Sequence, residues 1–305
     1  MGAVSAGTPR EDETGDLRAL AERHGLRQIG VRPAVPAYLQ QLWRFRQFTG
    51  YLAASRAYSQ NQNSYLGQLW AILTPILNAT VYVIIFGFML RTDRGVENVI
   101  AFIVIGVFLF RFFERSVVAG GKSISEKLQL VRSLHFPRAV LPLAAVLTEL
   151  TTLLPALGVM CVITLLSGLF PDYSVVPVTW EWLLLPVVVI LFGMFNIGCA
   201  MIAARIVAAA PDILNVIQFV MRFVMYGSGV LFSIEHYLRA WPTIAAVMEY
   251  QPVALALDLG RQALTQEASI PLDPGKWLWM LGWGALFLAG GFIYFWQGEE
   301  TYGRD

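Results

Sequence analysis

The chain has 305 residues, of which 56% are hydrophobic and only 14% are charged, and its formal net charge is +1. Soluble globular proteins carry roughly 25% charged residues, and a soluble chain this apolar could not cover its own surface. The composition, with a mean hydropathy of +0.58, therefore excludes an ordinary soluble protein and places most of the chain in lipid. The net charge also provides no strong basic field for nucleic acid.

The N-terminal region divides into two parts. Residues 1–34 predict a disordered cytosolic tail, because the first 32 are rich in charge, Gly and Ala and contain no aromatic residue. Residues 35–68 predict an interface helix and a connector. Within residues 38–58, one arc of a helix carries Leu39, Leu42, Trp43, Phe45, Leu52 and Ala53. This pattern favours an amphipathic helix in the inner headgroup layer. The alternative is a surface helix of a small soluble domain, for which few residues remain.

Six apolar runs have the length of membrane helices, which need about 20 residues each. They are residues 69–90, 99–121, 141–170, 183–204, 213–232 and 277–296. They define a transmembrane domain over residues 69–298, followed by a cytosolic C-terminal segment, 299–305. Residues 234–262 contain a shorter apolar stretch that Glu249, Pro252 and Asp258 interrupt, which favours short re-entrant helices. The predicted fold class is an all-α integral membrane protein with six transmembrane helices.

The distribution of Lys and Arg predicts the orientation. The chain before residue 69 contains eight arginines, and residues 171–182 contain no basic residue. The end of the second span and the loop after it carry Arg115, Lys122, Lys127, Arg132 and Arg138. Positive charge accumulates on the cytoplasmic side of a membrane. With six spans, both basic clusters lie inside only if both termini are cytoplasmic. We therefore expect a multi-pass protein of the plasma (inner) membrane.

No catalytic motif is evident in the sequence. The histidines, at positions 24, 135 and 236, are far apart. Gly121-Lys122-Ser123 resembles the end of a phosphate-binding loop, but Ser116 stands where that motif requires glycine, and no strand precedes it. The residues outside the spans are too few for an ATPase domain. We expect no catalytic residue, no metal and no cofactor here, and any ATP and Mg²⁺ to be bound by a separate subunit.

Polar and aromatic side chains share one face of the fifth span. Helical spacing groups Asn215, Gln218, Phe219, Arg222, Phe223 and Tyr226. The first span has a similar stripe, formed by Thr74, Asn78, Tyr82 and Phe86. Amides, a cation and aromatic faces can contact sugars, so both stripes are candidates to line a substrate channel. The alternative is a polar seam between helices.

Charged residues inside predicted spans require partners. An Arg at the bilayer centre costs at least about 2.5 kcal/mol, so it normally faces protein or water. Glu149, which lies among threonines of the third span, is the predicted counter-charge for Arg222 or Arg111. The favoured interpretation of Arg111, Glu114 and Arg115 is a salt-bridge patch within the membrane, where the second span approaches the inner face.

Several stretches together resemble the permeases of the ABC-2 type transporter family. The most specific is residues 127–138, Lys-Leu-Gln-Leu-Val-Arg-Ser-Leu-His-Phe-Pro-Arg, followed by Leu141-Pro142. Residues 64–70, Ser-Tyr-Leu-Gly-Gln-Leu-Trp, and Tyr250-Gln251-Pro252 with Gly260-Arg261 add to it. Within that family the chain looks most like exporters of lipid-linked polysaccharides such as O-antigen, teichoic acid and galactan. Residues 296–304 are similar to the ending of actinobacterial galactan-exporter permeases.

The resemblance implies an ABC-2 (type V exporter) fold, a homodimer, two copies of an ABC ATPase subunit, and a polyprenyl-pyrophosphate-linked glycan as substrate. Residues 125–138, the coupling segment, would form a coupling helix that meets the ATPase through Leu130, Ser133, Leu134, His135, Phe136 and Arg138. Family members usually carry more basic residues before the first span, whereas residues 59–63 are uncharged here. The remaining candidates for headgroup recognition are Arg44, Arg46 and Arg56.

Other functions remain as alternatives. An exporter of drugs or small lipids would belong to the same family. A membrane transferase acting on a polyprenyl substrate would need clustered acidic residues at one membrane face, and a proton-coupled transporter would be expected to contain internal repeats. The sequence shows neither a convincing acidic cluster nor a repeat.

Overall fold

The computed structural model describes residues 33–60, 65, 67–82, 84–85, 96–170, 173–267 and 269–302. Regular structure in these residues is helical. The α-helices are α1 Val35–Arg44, α2 Arg46–Ser59, α3 Trp70–Tyr82, α4 Val99–Lys122, α5 Leu128–Ser133, α6 Val140–Ser167, α7 Leu185–Ala209, α8 Ile213–Gly227, α9 Ile234–Tyr237, α10 Pro242–Glu249, α11 Pro252–Leu264 and α12 Pro274–Gln297. The predicted tail over residues 1–32 lies outside the described residues.

Helix α4 lies at the centre of the fold. Residues 99–110 are all buried, because α6, α7, α8 and α11 pack around this helix. A helix that is apolar on every side is suited to such a position. The ring of Phe113 on α4 stacks on those of Phe192 and Phe195 on α7, at centroid distances of 5.9 and 5.7 Å. These stacked rings fix α4 against α7.

Among the described residues, three helical stretches are long and apolar enough to cross a membrane. They are Val140–Ser167, Trp180–Ala209, which includes a 3₁₀ turn before α7, and Pro274–Gln297. Each carries large apolar side chains that are more than half exposed, such as Leu166, Ile190 and Leu286. Extended apolar surface of this kind is stable in lipid and unfavourable in water. The predicted class, an all-α integral membrane protein, is therefore confirmed.

The described helices match the remaining predicted spans less well in length or in apolar character. Helix α4 has 24 residues, but its second half carries Arg111, Glu114 and Arg115. Helix α8 is apolar and has 15 residues, shorter than the predicted span 213–232. The first predicted span is described as α3, and its residues 86–90 lie outside the described part of the chain. The total of six spans therefore stays a prediction.

Close helix packing joins α7 and α12 through glycine. A Cβ atom on Gly198 would lie 2.1 Å from the carbonyl oxygen of Phe287, and one on Gly291 would lie 2.4 Å from the carbonyl oxygen of Gly198. Neither distance is compatible with a side chain. Small residues let membrane helices approach closely, which increases their van der Waals contact. These two glycines therefore set the spacing between α7 and α12.

The predicted interface helix is two helices. Residues 38–58 were expected to form one helix, but α1 ends before Phe45, whose φ and ψ are −86° and 8°, and α2 follows. The buried Tyr38 anchors α1, and α2 packs on α6, where Thr148 Oγ1 donates to the carbonyl of Ala53 at 3.2 Å. Trp43 remains 69% exposed. The bend allows both helices to follow the protein surface.

The segment over residues 234–262 forms the short helices α9, α10 and α11. Tyr250 and Gln251 separate α10 from α11, which begins at Pro252, a residue whose fixed φ suits the first helical turn. Gln251 Nε2 donates to the carbonyl of Gly227 at 2.5 Å. This hydrogen bond connects the residues between α10 and α11 to the end of α8. Helix α11 is buried against α4, α7 and α12. Its position is internal, and re-entry of the segment from one membrane face stays a prediction.

Candidate substrate channel, membrane cavity and coupling segment

Helix α8 directs its predicted stripe away from the rest of the chain. Phe219, Phe223 and Tyr226 are 57%, 65% and 58% exposed, and the first two rings meet edge to face at 5.1 Å. The same surface carries Asn215, Gln218 and Arg222, which are also exposed. The opposite face packs on α4 and α7. Within the described residues the stripe therefore does not form a polar seam between helices of one chain. A second copy of the chain or a substrate can contact it.

The stripe on the first span lies elsewhere. Asn78 Nδ2 donates to the carbonyl of Thr74 at 2.8 Å, and Asn78 Oδ1 accepts from Arg111 Nη2 at 3.3 Å. Asn78 thus faces α4. The side chain of Tyr82 and all of Phe86 lie outside the described residues. In one chain Asn78 and the α8 stripe do not form a common surface.

A cavity of about 150 Å³ lies between α3, α4 and α6, and we name it the membrane cavity. Its polar lining comprises Gln60, Thr74, Asn78, Arg111, Arg115, Glu149 and Thr152. Arg115 Nη1 lies 3.9 Å from Glu149 Oε2. Charged side chains within a bilayer are costly unless protein or water surrounds them. The cavity therefore provides polar surroundings for the charges of α4.

The predicted partner of Glu149 is wrong. We expected Arg222 or Arg111 to balance this carboxylate, but Arg115 is its ion-pair partner in the structure, Arg111 bonds to Asn78, and Arg222 is exposed on α8. The reason is the position of α4 along its axis relative to α6. Arg111 and Arg115 are one turn apart on α4, and the register against α6 brings Arg115 to Glu149.

The three arginines predicted to recognise a headgroup have different surroundings. Arg44 is exposed at the end of α1. Arg46 bends back on the preceding turn, where Nη1 donates to the carbonyl of Trp43 at 3.1 Å and the guanidinium lies 5.1 Å from the Trp43 ring centroid. Arg56 Nη2 lies 2.5 Å from Glu126 Oε2 of the coupling segment. Arg56 therefore links α2 to that segment.

The coupling segment divides into an exposed part and a packed part. Ser133, the last residue of α5, and the following Leu134 and His135 are exposed. Leu130 and Phe136 are partly buried, and the Phe136 ring lies 5.7 Å from that of Phe48. We expected both to be available for insertion into an ATPase; this chain covers part of each side chain, and the insertion stays a prediction. Leu134 is the apolar residue of the predicted set that remains outward-facing.

The end of the coupling segment is held by the C-terminal segment. Glu299 Oε1 accepts the backbone N–H of Arg138 at 3.0 Å, and Arg138 Nη1 donates to the Glu299 carbonyl. Tyr38 donates to Glu299 Oε2 at 2.8 Å. We name these contacts the Glu299 joint. The sequence interpretation assigned no role to Glu299 or Tyr38, and their separation along the chain gives no local signal. Arg138 was predicted to meet the ATPase, but its side chain is engaged here.

A second set of polar contacts lies at the opposite end of the bundle. Arg261, which is 4% exposed, donates to the carbonyls of Gly229 at 2.9 Å and Val230 at 3.3 Å. Glu267 accepts the backbone N–H groups of Glu97 and Asn98 at 3.0 and 2.9 Å and so holds the start of α4. These buried charges connect α11 and its following loop to α4 and to the end of α8. In the part of the chain described, no His, Cys, Asp and Glu side chains are grouped for a metal ion.

The bundle of long apolar helices, with apolar side chains exposed on its outside, is that of an integral membrane protein. Residues 49–264 match the ABC-2 type transporter family. The matched region exceeds half of the chain and includes the membrane cavity, the coupling segment and α8. The chain therefore belongs to the ABC-2 type transporter family.

Individual relatives are also similar. The O-antigen export system permease protein RfbA of Myxococcus xanthus is 27% identical over 197 residues, which cover 65% of this chain and 72% of that protein. Two proteins of the same name from Klebsiella pneumoniae are 26% and 25% identical over 172 residues, 56% of this chain and 63% of each relative. The chain thus spans somewhat less than two thirds of these last two proteins.

Proposed function

We propose that the chain is the permease subunit of an ABC exporter that moves a lipid-linked polysaccharide of the O-antigen or galactan type. The observation that carries the proposal is the outward stripe of α8. Its amides and its Arg can bond to sugar hydroxyls, and its exposed rings can stack on sugar C–H faces. The similarity to proteins named O-antigen export permeases supports the same substrate class.

Two copies of the chain would form the channel. The α8 stripe of each copy is exposed, so a homodimer could bury both stripes around a common path. The first span of the partner subunit would complete the wall through a face other than that of Asn78, which bonds to Arg111. Bulky aromatic residues can close such a path to ions by excluding water. The segment from α9 to α11 would close the outer mouth.

A separate ATPase subunit, present twice, would drive transport, and ATP and Mg²⁺ would be bound there. In this arrangement both termini and the coupling segment are cytoplasmic, as the distribution of Arg and Lys favours. The exposed Leu134, with Ser133 and His135, would contact the ATPase. Arg44, Arg46 and Arg56 would attract the anionic end of the substrate to the inner surface of the membrane, before it enters the bundle.

Depletion of the protein in its host, followed by fractionation of lipid-linked glycan, tests this function. We expect the glycan to accumulate on the cytoplasmic side of the membrane and to return to normal when the wild-type chain is supplied. A normal glycan distribution combined with greater sensitivity to lipophilic drugs would contradict the proposal. That result would favour a drug or small-lipid exporter.

A further inference from the structure

The membrane cavity has space that protein atoms do not fill. Its volume of about 150 Å³ compares with the roughly 30 Å³ that one water molecule occupies in the liquid. Trp70 lies at one part of its lining, and Asn78 lies two turns further along α3, about 12 Å away at a rise of 1.5 Å per residue. The cavity therefore extends from the start of the first span into the depth of the bundle.

The formal charges around this space do not balance. Arg111 and Arg115 contribute two positive charges to the lining, and Glu149 contributes one negative charge. Glu149 is 8% exposed, so protein rather than water surrounds most of it. The Arg115 side chain is 47% exposed, so an ion can approach it, and an unbalanced positive charge attracts an ion of opposite sign. The cavity is therefore electrostatically suited to an anion.

The arginines also have donor groups to spare within the described residues. A guanidinium carries five N–H donors. Arg111 makes a hydrogen bond of 3.3 Å to Asn78, and the 3.9 Å between Arg115 and Glu149 exceeds the length of a hydrogen bond. Two planar guanidinium groups one helical turn apart can engage several oxygen atoms of one anion. Phosphate oxygens match this geometry and accept paired N–H bonds from Arg.

The position of the cavity indicates how such an anion arrives. Gln60 and Trp70, both in the lining, flank the connector between the interface helix α2 and the first span. An anion bonded to a lipid tail would reach this point from the membrane surface, with its tail remaining in the bilayer. A free anion would have no apolar part to place beside the aromatic lining formed by Trp70, Phe108 and Phe112.

We propose that the membrane cavity binds a lipid-borne phosphate group and that, during transport, this group is the pyrophosphate end of the lipid-linked glycan. The second part rests on the proposed function. Arg111 and Arg115 bind the phosphate oxygens, Asn78 orients Arg111, and Glu149 limits affinity so that the substrate can leave.

Binding to the purified full-length chain in phosphatidylcholine nanodiscs tests this proposal without the ATPase. The probe is farnesyl pyrophosphate, and phosphatidylglycerol and inorganic pyrophosphate serve as competitors. We expect Arg111→Gln and Arg115→Gln each to raise the Kd about tenfold, as the loss of a charge-assisted hydrogen bond does. Glu149→Gln should lower the Kd several-fold, because it removes a negative charge beside the anion. Arg239→Gln, an exposed position on another loop, is the matched control and should leave the Kd unchanged.

The signs of these effects distinguish binding from a structural role. Weaker binding by Glu149→Gln, or unchanged binding by both Arg variants, would overturn the cavity assignment. If the Arg variants unfold, Asn78→Asp places a negative charge beside Arg111 and should weaken binding in the folded protein. Equal competition by phosphatidylglycerol would overturn the pyrophosphate assignment in favour of a phospholipid headgroup, and equal competition by inorganic pyrophosphate would overturn lipid-borne recognition. Normal glycan export with unchanged binding in both Arg variants would refute this inference alone, whereas Arg-dependent binding without glycan export would refute the proposed function.

Discussion

The carboxylate of Glu299 accepts a hydrogen bond of 2.8 Å from the phenol of Tyr38, a residue 261 positions earlier in the chain. Tyr38 Oη in turn accepts the backbone N–H of Ala139 at 3.1 Å. Ala139 and Tyr38 are almost completely buried. Three distant segments, α1, the end of the coupling segment and the residues after α12, therefore meet at one shielded point.

The Glu299 joint predicts a pH dependence of stability. Burial raises the pKa of Glu299 above its ordinary value of 4.5, although hydrogen bonds from Arg138 and Tyr38 oppose the shift. The folded chain therefore holds a proton that the unfolded chain has released, so the free energy of unfolding decreases as the pH rises from 4.5 through the raised pKa. Glu299→Gln should abolish this contribution.

Melting temperatures in detergent, measured from mildly acidic to neutral pH, check this prediction. The wild-type curve should fall with pH relative to that of Glu299→Gln. Glu300→Gln, at the next and exposed position, is the control and should follow the wild type. Parallel curves for wild type and Glu299→Gln would show that the joint contributes no proton linkage.

Two adjacent glycines of α12 allow a matched test of helix packing. Gly291→Ala places a Cβ atom 2.4 Å from the carbonyl oxygen of Gly198, whereas Gly290→Ala meets no atom within 4 Å. Overpacking of this kind costs about 1–3 kcal/mol, so Gly291→Ala should lower the melting temperature clearly. Gly290→Ala should leave it unchanged or raise it, since Ala favours helix by up to about 1 kcal/mol. A similar loss in both variants would contradict the packing of α7 on α12.

The coupling segment can be tested with one exposed leucine. Leu134 is 51% exposed, and Leu134→Asp should abolish co-purification of the ATPase subunit while leaving the permease folded. Leu272→Asp, at a position 45% exposed in the loop before α12, is the control and should retain the ATPase. Phe136→Asp is unsuited, because the ring packs on Phe48 and the variant would disturb α2. An intact complex with Leu134→Asp would exclude the segment as the coupling site.

The aromatic ridge of α8 predicts a barrier to ions. Combined replacement of Phe219, Phe223 and Tyr226 by Ala should reduce glycan export and increase ion leak through the reconstituted exporter. Trp180→Ala removes a ring that is 86% exposed away from α8 and should change neither property. Unchanged export and unchanged leak in the triple variant would mean that α8 does not line the path. Leak is measured by ion flux from proteoliposomes, and export by the glycan fractionation described above.

Hydropathy was sufficient to predict the long helices. The apolar runs at residues 99–121, 141–170, 183–204 and 277–296 correspond to α4, α6, α7 and α12, because each run must be buried in protein or lipid over its whole length. The end of α1 at Phe45 was not predicted, since the apolar arc continues through it without Gly or Pro. Tyr38 on α1 and Thr49 on α2 are both buried, so each helix is held by tertiary contacts that the sequence pattern does not contain.

The contacts between charged groups were less predictable. The residues of the membrane cavity were recognised as needing partners, but the choice between Arg111 and Arg115 for Glu149 depends on the rotation and depth of α4 against α6. A hydropathy pattern reports which face of one helix is apolar and contains no information on its depth relative to a neighbour. The hydrogen bond from Arg111 to Asn78 and the contacts of Glu299 likewise depend on how separate segments are placed relative to one another.

The Glu299 joint has a mechanical consequence. Ala139 immediately precedes α6, and Tyr38 belongs to α1, so a force applied at residues 128–135 must either break the joint or move both helices. A displacement of these residues by a partner subunit would then tilt α6, which crosses the bilayer, and α1, at its surface, as one rigid unit. Movement of α6 and displacement of the lipid next to α1 would be the same event, with no intermediate step between them.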